Sequence, residues 1–570
     1  MNPDGAARSA QAGIREHPPA GRRPVVALTL GLVVTVGAGL LADGVYHEDD
    51  FKHFLLARWS RHDPAYLLDW WGRPGFTLPY ALVCVWGPPE AGWHAARLLS
   101  AVLTAATAAL AWSAARHWRV RHAWLAIVAV YLQPMTLRLS QTTLTETPLA
   151  FYLSLATWLL LRGRPGASAA VMALAPLTRH EAVVLWPVWA LAIRRAGGGP
   201  GHCLLMGWAM AAHNVLARVF LGSWPIAHWF QPEVTDFYGS GTFLTYVPKT
   251  LMAFGPGAVL AVMGARRLGR RPLGWLPAAG ALLYVVVHTL VFMRGAYASG
   301  GYARFLVPLS PWVAVLACAG VGPFLARRAV VRRQAWLVGG SLTLAAWVTG
   351  ECAWLLEPPV VAPRFAGLLL AGRLAGLAAA VGLAAVLVVI LRRPREGNLP
   401  GAAGGYLAAL CGVLFLAGPV WALTPLRLKP EHLLMRDAVA PLDALGWRSR
   451  PRIIVNYWLC YWAGMWVPHD IPPHRQALRQ APEGTLFIWD ARFCPEPPLS
   501  LDIDAMRGDP DWRLIWRSGP VWRGGPAFLA VFERRSNGPA GSGEGVRSGA
   551  RSGNGGNVAS SGVATSPGGP

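Results

Sequence analysis

Apolar and polar positions alternate along this chain in long blocks rather than with the short period of a soluble fold. After a polar N-terminus come apolar runs at 25–42 and 92–115, then a third run, then a fourth at 145–161. A tight hairpin follows at 167–178 and 181–193, and further runs lie at 202–221, 249–265, 272–293, 305–325, 335–355, 366–391 and 402–424. Runs of this length predict helices that cross hydrocarbon. The stretch 76–87 is too short to span ~30 Å at ~1.5 Å per residue, so it is expected to lie in the interface or re-enter.

The junctions between runs set the orientation. Every second one is basic: Arg22-Arg23, Arg116 to Arg121, Arg162 and Arg164, Arg194-Arg195, Arg266 to Arg271, Arg327 to Arg333, and Arg392-Arg393. Basic junctions stay in the cytoplasm, which predicts a cytoplasmic N-terminus and an outer C-terminus. The expected fold is an α-helical polytopic membrane protein with about thirteen transmembrane helices. Region 1–24 is expected to be a disordered cytoplasmic N-terminus, and 25–424 the transmembrane domain, with its first outer loop at 43–91. The first run has a poor cleavage site after it and is expected to be retained as a span.

Beyond 424 the pattern changes. A helical period at 431–446 precedes strand-like runs at 452–457, 485–489, 512–516 and 527–533, predicting a small extracytoplasmic α/β domain over 425–535. Residues 536–570 are Gly/Ser/Pro-rich and predict a disordered tail. Within the domain, Tyr457, Trp458, Tyr461, Trp462 and Trp466 suit either an interfacial belt or sugar faces. Cys460 and Cys494 sit just beyond strand-like runs, and pairing between them is left open.

Composition agrees with the blocks: 54% of residues are hydrophobic and only 14% charged. The net charge of +23 does not indicate nucleic acid, because its Arg residues are the topological clusters. No Cys/His spacing fits structural zinc.

Candidate chemistry collects at the outer junctions. The first loop opens Tyr46-His47-Glu48-Asp49-Asp50-Phe51-Lys52-His53, three adjacent acids against a span end, followed by helical spacing. Such crowding calls for a compensating cation, metal or catalytic role. The same loop carries Asp69-Trp70-Trp71-Gly72-Arg73-Pro74-Gly75, where Trp71 suits a sugar face and Arg73 a phosphate. Glu146 follows a Ser/Thr-rich run, Arg179 and Glu181 form the hairpin tip, and Arg294, Tyr302 and Arg304 stand at a later outer end. Ionisable groups beside hydrocarbon are costly and usually functional.

These motifs resemble the GT-C superfamily of lipid-carrier-dependent glycosyltransferases, which includes protein O-mannosyltransferases, bacterial aminoarabinose transferases and the mannosyltransferases of glycolipid anchor assembly. The resemblance covers roughly 25–425. It rests on Asp49-Asp50 after the first span with Leu56 and Ala57 in the helix beyond, on Arg73-Pro74, on Thr145-Glu146, on Leu177-Thr178-Arg179, and on Arg304 ahead of Pro308 and Pro311. Asp50 departs from the more usual Glu. The resemblance implies transfer of a hexose or pentose, mannose-like favoured, from a polyprenyl-phosphate carrier to a hydroxyl of a glycan, lipid or protein. Inversion at the outer face of the cell membrane goes with it.

A sugar phosphate has a good leaving group, so one carboxylate base and cations on the phosphate should suffice. Asp49 is the expected base, with Asp50 or Glu146 orienting the acceptor or a divalent ion, magnesium or manganese. Lys52, Arg73 and Arg304 are expected on the phosphate, with Glu48, Trp71, Arg179, Glu181, Arg294 and Tyr302 as further binding residues. Two alternatives stay open: a polysaccharide polymerase or ligase using diphosphate donors, and a lipid or sugar transporter. Transporters commonly show repeated halves, and no such repeat is present.

Overall fold

The computed structural model describes residues 21–68, 71–230, 239–297, 299–322, 324, 329–356, 363–392, 401–465, 475–495, 499–519 and 528–535. The expected disordered ends at 1–24 and 536–570 lie almost wholly outside these. The chain forms two compact units, Met1–Arg427 and Leu428–Pro570.

The first unit is helical. Among the described residues, seven of its helices are long and apolar enough to cross a membrane, including Arg22–Leu41, Pro89–His117, Leu276–Met293 and Gly404–Ala422. A bent pair, Tyr246–Phe254 and Gly257–Leu268, makes an eighth if it acts as one span. Length and composition therefore identify fewer spans than the thirteen expected. The shortfall has local causes. Glu146–Leu161 has 16 residues, and Pro165–Met172 and Ala175–Thr178 are shorter still. Pro134 splits the third run into Leu125–Tyr131 and Pro134–Leu139. The run at 335–355 does form one helix, Ala329–Leu356, but it is less apolar than the seven. The short stretch at 76–87 forms Pro74–Cys84, of 11 residues.

The 97° bend at 255–256 has a plain origin. Gly255 takes φ +56°, ψ −149°, a region open essentially to glycine, and Pro256 follows. Beyond the bend, Gly257–Leu268 packs backbone to backbone against Ser310–Gly320. A Cβ on Gly264 would strike the Leu316 carbonyl, and one on Gly320 the Leu260 carbonyl. Such small-residue contacts replace the hydrophobic drive that lipid removes. The segment Ala303–Gly320 is accordingly 94% buried inside the protein, at the centre of the unit.

Polar side chains tie irregular backbone into this core. Arg97, within an apolar helix, donates to the carbonyls of Ala42 and Gly44, where the first helix ends. Arg138 reaches the Thr424 carbonyl, while Gln141 Nε2 donates to the Ala422 carbonyl at 2.7 Å. These bonds satisfy helix-end carbonyls that would otherwise be stranded.

The second unit holds one four-stranded sheet, β1 (Arg452–Ile454), β2 (Leu486–Asp490), β3 (Trp512–Arg517) and β4 (Leu529–Arg534), in the order β1-β2-β4-β3. β1 and β2 run parallel and the other pairs antiparallel, with Phe487 opposite Phe532 and a bulge at Leu514/Trp516. The helical stretch expected at 431–446 is two helices, Pro430–Asp437 and Val439–Ala444. Cys460 and Cys494 are both free and buried; burial pushes the Cys460 thiol up to about 12. Cys494 Sγ instead accepts the Asp490 N–H at 3.3 Å. Tyr457, Trp458, Tyr461 and Trp462 share one short helix, with Trp458 stacked on His432 at 4.1 Å; Trp466 lies outside the described residues.

Substituting Gly264→Ala should cost about 1–3 kcal/mol through overpacking at the helix contact. A thermal-unfolding series in detergent should show a lowered midpoint, and an unchanged midpoint would remove the close-approach argument.

Candidate active site

The site begins at a helix start. Glu48, Asp49 and Asp50 occupy the first turn of Glu48–Trp59, where the free N–H groups favour negative charge. His47 caps that turn by accepting the Asp49 N–H on Nδ1 at 3.3 Å. Glu146 stands in the same relation to Glu146–Leu161 as its first residue. The crowded acids are thus partly compensated by their own helices.

The two adjacent aspartates face different surroundings. Asp50 is fully buried, and its Oδ1 accepts both the Thr143 N–H and the Thr143 hydroxyl at 2.5 Å, while Oδ2 accepts the Tyr46 N–H at 3.4 Å. Burial raises its carboxyl above the usual range, against the pull of Arg97 and the Thr143 bonds. Asp49 is 25% exposed, and its Oδ2 accepts from Arg304 Nη2 at 2.5 Å. Burial works to raise its carboxyl, but Arg304 and His47 outweigh it and hold Asp49 well below the usual carboxylate range. One neighbour is spent on holding backbone; the other is an ionised group that solvent can reach.

Arg304 then joins distant parts of the chain. Its Nε lies 3.7 Å from Glu146 Oε1, so one guanidinium spans Asp49 and Glu146. Glu146 Oε1 also accepts from Arg179 Nη1 at 2.6 Å, and Arg179 Nε donates to Glu181 Oε1 at 2.5 Å. Burial acts to lower the Arg179 guanidinium, but Glu146 and Glu181 outweigh it and raise it above its ordinary value. Glu181 ends below its own despite burial, because of Arg179 first and then His288. His288 Nε2 stands 3.9 Å from Glu181 Oε1.

Arg73 has a different standing. It ends the first loop in the left-handed region, φ +47°, immediately before Pro74 and the helix Pro74–Cys84. Its guanidinium lies 4.4 Å from the centroid of Trp71, with Lys52 Nζ 5.1 Å from the same ring. It makes no ion pair or side-chain hydrogen bond among the described residues, and its buried Nε has no acceptor. Burial and the nearby Arg179 charge push it down to about 10, opposed by Glu181, Asp49 and Glu146. Arg304 Nη1 is likewise buried with no acceptor. Two guanidinium groups therefore present donors that the protein leaves unused.

Of the residues expected from sequence, Asp49, Glu146, Arg179, Glu181 and Arg304 meet in one ion network, with Arg73, Trp71 and Lys52 beside it. Tyr302 packs edge-on against His47 at 5.2 Å and lies under Arg304 at 5.1 Å. Glu48 is half-buried in the first turn. Arg294 is exposed at the end of Leu276–Met293 and joins no ion pair among the described residues. Asp69 and Trp70 lie outside the described residues. Sequence reasoning missed Thr143 and Arg97, although an Arg inside an apolar run is itself a signal.

A divalent ion does not fit this donor set. Asp49 and Glu146 are each taken by guanidinium groups and Asp50 by Thr143. Among the described residues no three His, Cys, Asp or Glu side chains form a metal-binding group.

Comparison with solved structures finds ArnT from Cupriavidus metallidurans. In its crystal structure bound to undecaprenyl phosphate it matches with a TM-score of 0.59 at 14% identity, over 91% of this chain and 99% of that one. The chain shares the fold of this ArnT. The apo form of the same ArnT matches at 0.57 and 13% identity, covering 89% of this chain and 97% of that chain. No family model and no curated protein matches the sequence. The likeness is one of fold, at 13–14% identity.

The charge on Arg73 carries a definite sign. Its folded value lies below its ordinary value of 12.5, so holding the proton costs the fold at every pH below about 10, and the cost lifts only above it. Arg73→Met should therefore leave the thermal midpoint unchanged or raised at pH 7, while weakening binding of a phosphate-bearing lipid at least tenfold, as loss of a charged hydrogen bond of about 1.5–3 kcal/mol implies. A lowered midpoint with intact binding would contradict the unpaired-cation reading.

Proposed function

We propose that this chain is an integral membrane glycosyltransferase that moves a sugar from a polyprenyl-phosphate carrier to an acceptor hydroxyl at the extracytoplasmic face, with inversion. One observation carries the reading. A half-buried guanidinium without an acid partner and with an unmet Nε donor, Arg73, stands near an ionised, partly exposed carboxylate, Asp49, held by a second guanidinium with a spare donor, Arg304. That pairing suits a reaction in which an anion departs while a hydroxyl loses its proton. The shared fold supports it, as does the match over nearly the whole length of an ArnT that binds undecaprenyl phosphate.

In this mechanism Arg73, with Lys52 beside Trp71, and the free Nη1 of Arg304 bind the carrier phosphate. The acceptor hydroxyl attacks the anomeric carbon as the bond from that carbon to the phosphate oxygen breaks. Its proton passes to Asp49, and the electron pair leaves with the polyprenyl phosphate. While paired with Arg304, Asp49 is a weak base. Phosphate arriving on Arg304 shares that positive charge and returns basicity to Asp49, so base strength rises when donor is bound. Glu146 keeps Arg304 and Arg179 in place from a fully buried position. Asp50 holds the loop to Thr143 and acts on the reaction only through position.

The finer topology belongs to the same reading: about thirteen crossings with the N-terminus inside, giving an extracytoplasmic 425–535 domain at the cell membrane. An alkaline phosphatase fused after residue 535 should be active in intact bacterial cells, and activity confined to fusions at the basic junctions would reverse the orientation.

The decisive assay supplies polyprenyl-phosphate sugars to membranes and scores formation of a new glycosidic bond. Asp49→Asn should lower turnover by about 10²–10⁴, the range for losing a general base, with insertion and thermal midpoint retained. Asp50→Asn should instead lower the midpoint. A fully active Asp49→Asn variant would remove the base assignment, and transbilayer movement of labelled lipid without bond formation would favour a transporter.

A further inference from the structure

Next to the ion network lies a group of side chains that the transfer just derived does not use. Tyr246, Tyr284, His288 and Ser299 are 1%, 0%, 6% and 8% exposed; Tyr284 Oη and His288 Nε2 lack hydrogen-bond partners, and the Tyr246 and Ser299 hydroxyls have only each other. They come from separate elements: Tyr246 opens Tyr246–Phe254, Tyr284 and His288 sit one turn apart on Leu276–Met293, and Ser299 lies in the following loop. Buried polar atoms are almost always satisfied, so two unmet atoms beside that hydroxyl pair call for something that fills them.

The chemistry of the filler can be read from the lining. The rings are close, with Tyr284 4.5 Å, Tyr246 5.9 Å and Phe305 5.6 Å from His288. Aromatic faces beside neutral donor-acceptor groups suit a ring that carries C–H faces and hydroxyls together. A lipid chain would leave the hydroxyls unmet. A phosphate would want cations: Arg179 beside the cluster is already shared by Glu146 and Glu181, and Lys249, 5.7 Å from the Tyr246 ring centroid, donates to the Gly301 carbonyl. An ammonium would want spare negative charge, and Glu181 is already paired with Arg179. The cluster adjoins the network through His288 and Glu181, 3.9 Å apart, with Arg179 over Phe305 at 4.6 Å.

We propose that Tyr246, Tyr284 and His288 form the subsite that reads the hydroxyls of a neutral sugar ring on the donor, and so select which sugar is transferred. The proposal rests on the donor reading above and assigns the sugar end to residues separate from those on the phosphate.

The test compares two lipids on the purified full chain: polyprenyl phosphate alone, and the tightest binder among polyprenyl-phosphate mannose, glucose and arabinose. Tyr284→Phe removes one oxygen and should weaken the sugar-bearing lipid about tenfold, one hydrogen bond's worth, while leaving the bare phosphate lipid unchanged. Tyr246→Phe should act in the same direction and stands in if Tyr284→Phe folds poorly. Equal loss for both lipids with a lowered thermal midpoint, or no loss for either, would mean the hydroxyls hold water or packing and overturns the subsite. If the unaltered protein binds neither lipid, the donor reading itself fails, a result distinct from loss of sugar discrimination.

Discussion

A single buried guanidinium organises the first unit. Arg304 is 3% exposed and holds Asp49 from the first loop and Glu146 from the start of a later helix. Charges of that kind are stable out of water only when paired with good geometry. Asp49 is paired with Arg304, and Glu146 lies between Arg304 and its closer partner Arg179, so segments more than 150 residues apart in sequence are brought together by paired charge. Glu146 extends the constraint to Arg179 and Glu181. The network is an alternating row of acids and cations, and the donors left over on Arg304 and Arg73 lie along it rather than at random.

The same economy of surroundings separates two neighbouring carboxyls. Asp49 and Asp50 share a helix turn and its field, so the helix start cannot distinguish them. What does is the next contact: a cation for Asp49 and neutral donors for Asp50. The outcome is opposite directions of shift on adjacent residues. Groups pushed apart in this way are how a fold assigns chemical roles to residues of one type. A sequence of three acids gives the crowding, but only the partners from 143 and 304 decide which acid is available.

That explains how much could be read from sequence. The apolar blocks and their basic junctions revealed a polytopic helical protein and the later α/β unit, because burial in hydrocarbon or in a sheet core writes its period directly on the chain. Helix length picks out fewer spans than the apolar runs do where proline and glycine break a run, as at Pro134 and Gly255, since an apolar stretch does not say how its helix ends. The ionisable groups were visible as charges beside hydrocarbon. Their pairing was not, nor was Arg294's place in solvent, because pairing depends on which helix ends meet. Tyr246, Tyr284 and Ser299 carried no signal, since a hydroxyl in an apolar run reads as core until its partners, or their lack, are seen. Cys460 and Cys494 taught the converse: suggestive placement after strands, but two separate thiols.

The location of the site follows from these constraints. Irregular backbone beside a membrane survives only when protein buries it, and the segments around 140–146, 179–185 and 299–309 are irregular and buried together. Regular spans could not offer so many side chains to one point, because a helix turns successive residues away. Arg179 is extended just before the short 3₁₀ segment His180–Leu185, which holds Glu181, and Arg304 lies in the 3₁₀ segment Ala303–Leu309, so irregular backbone carries all three to the network. Rigid helices packed through Gly264 and Gly320 then hold the breaks still. The charged row and the aromatic hydroxyls on Leu276–Met293 and Tyr246–Phe254 thus come from different elements, so under the proposed transfer the sugar end could change without disturbing the charges.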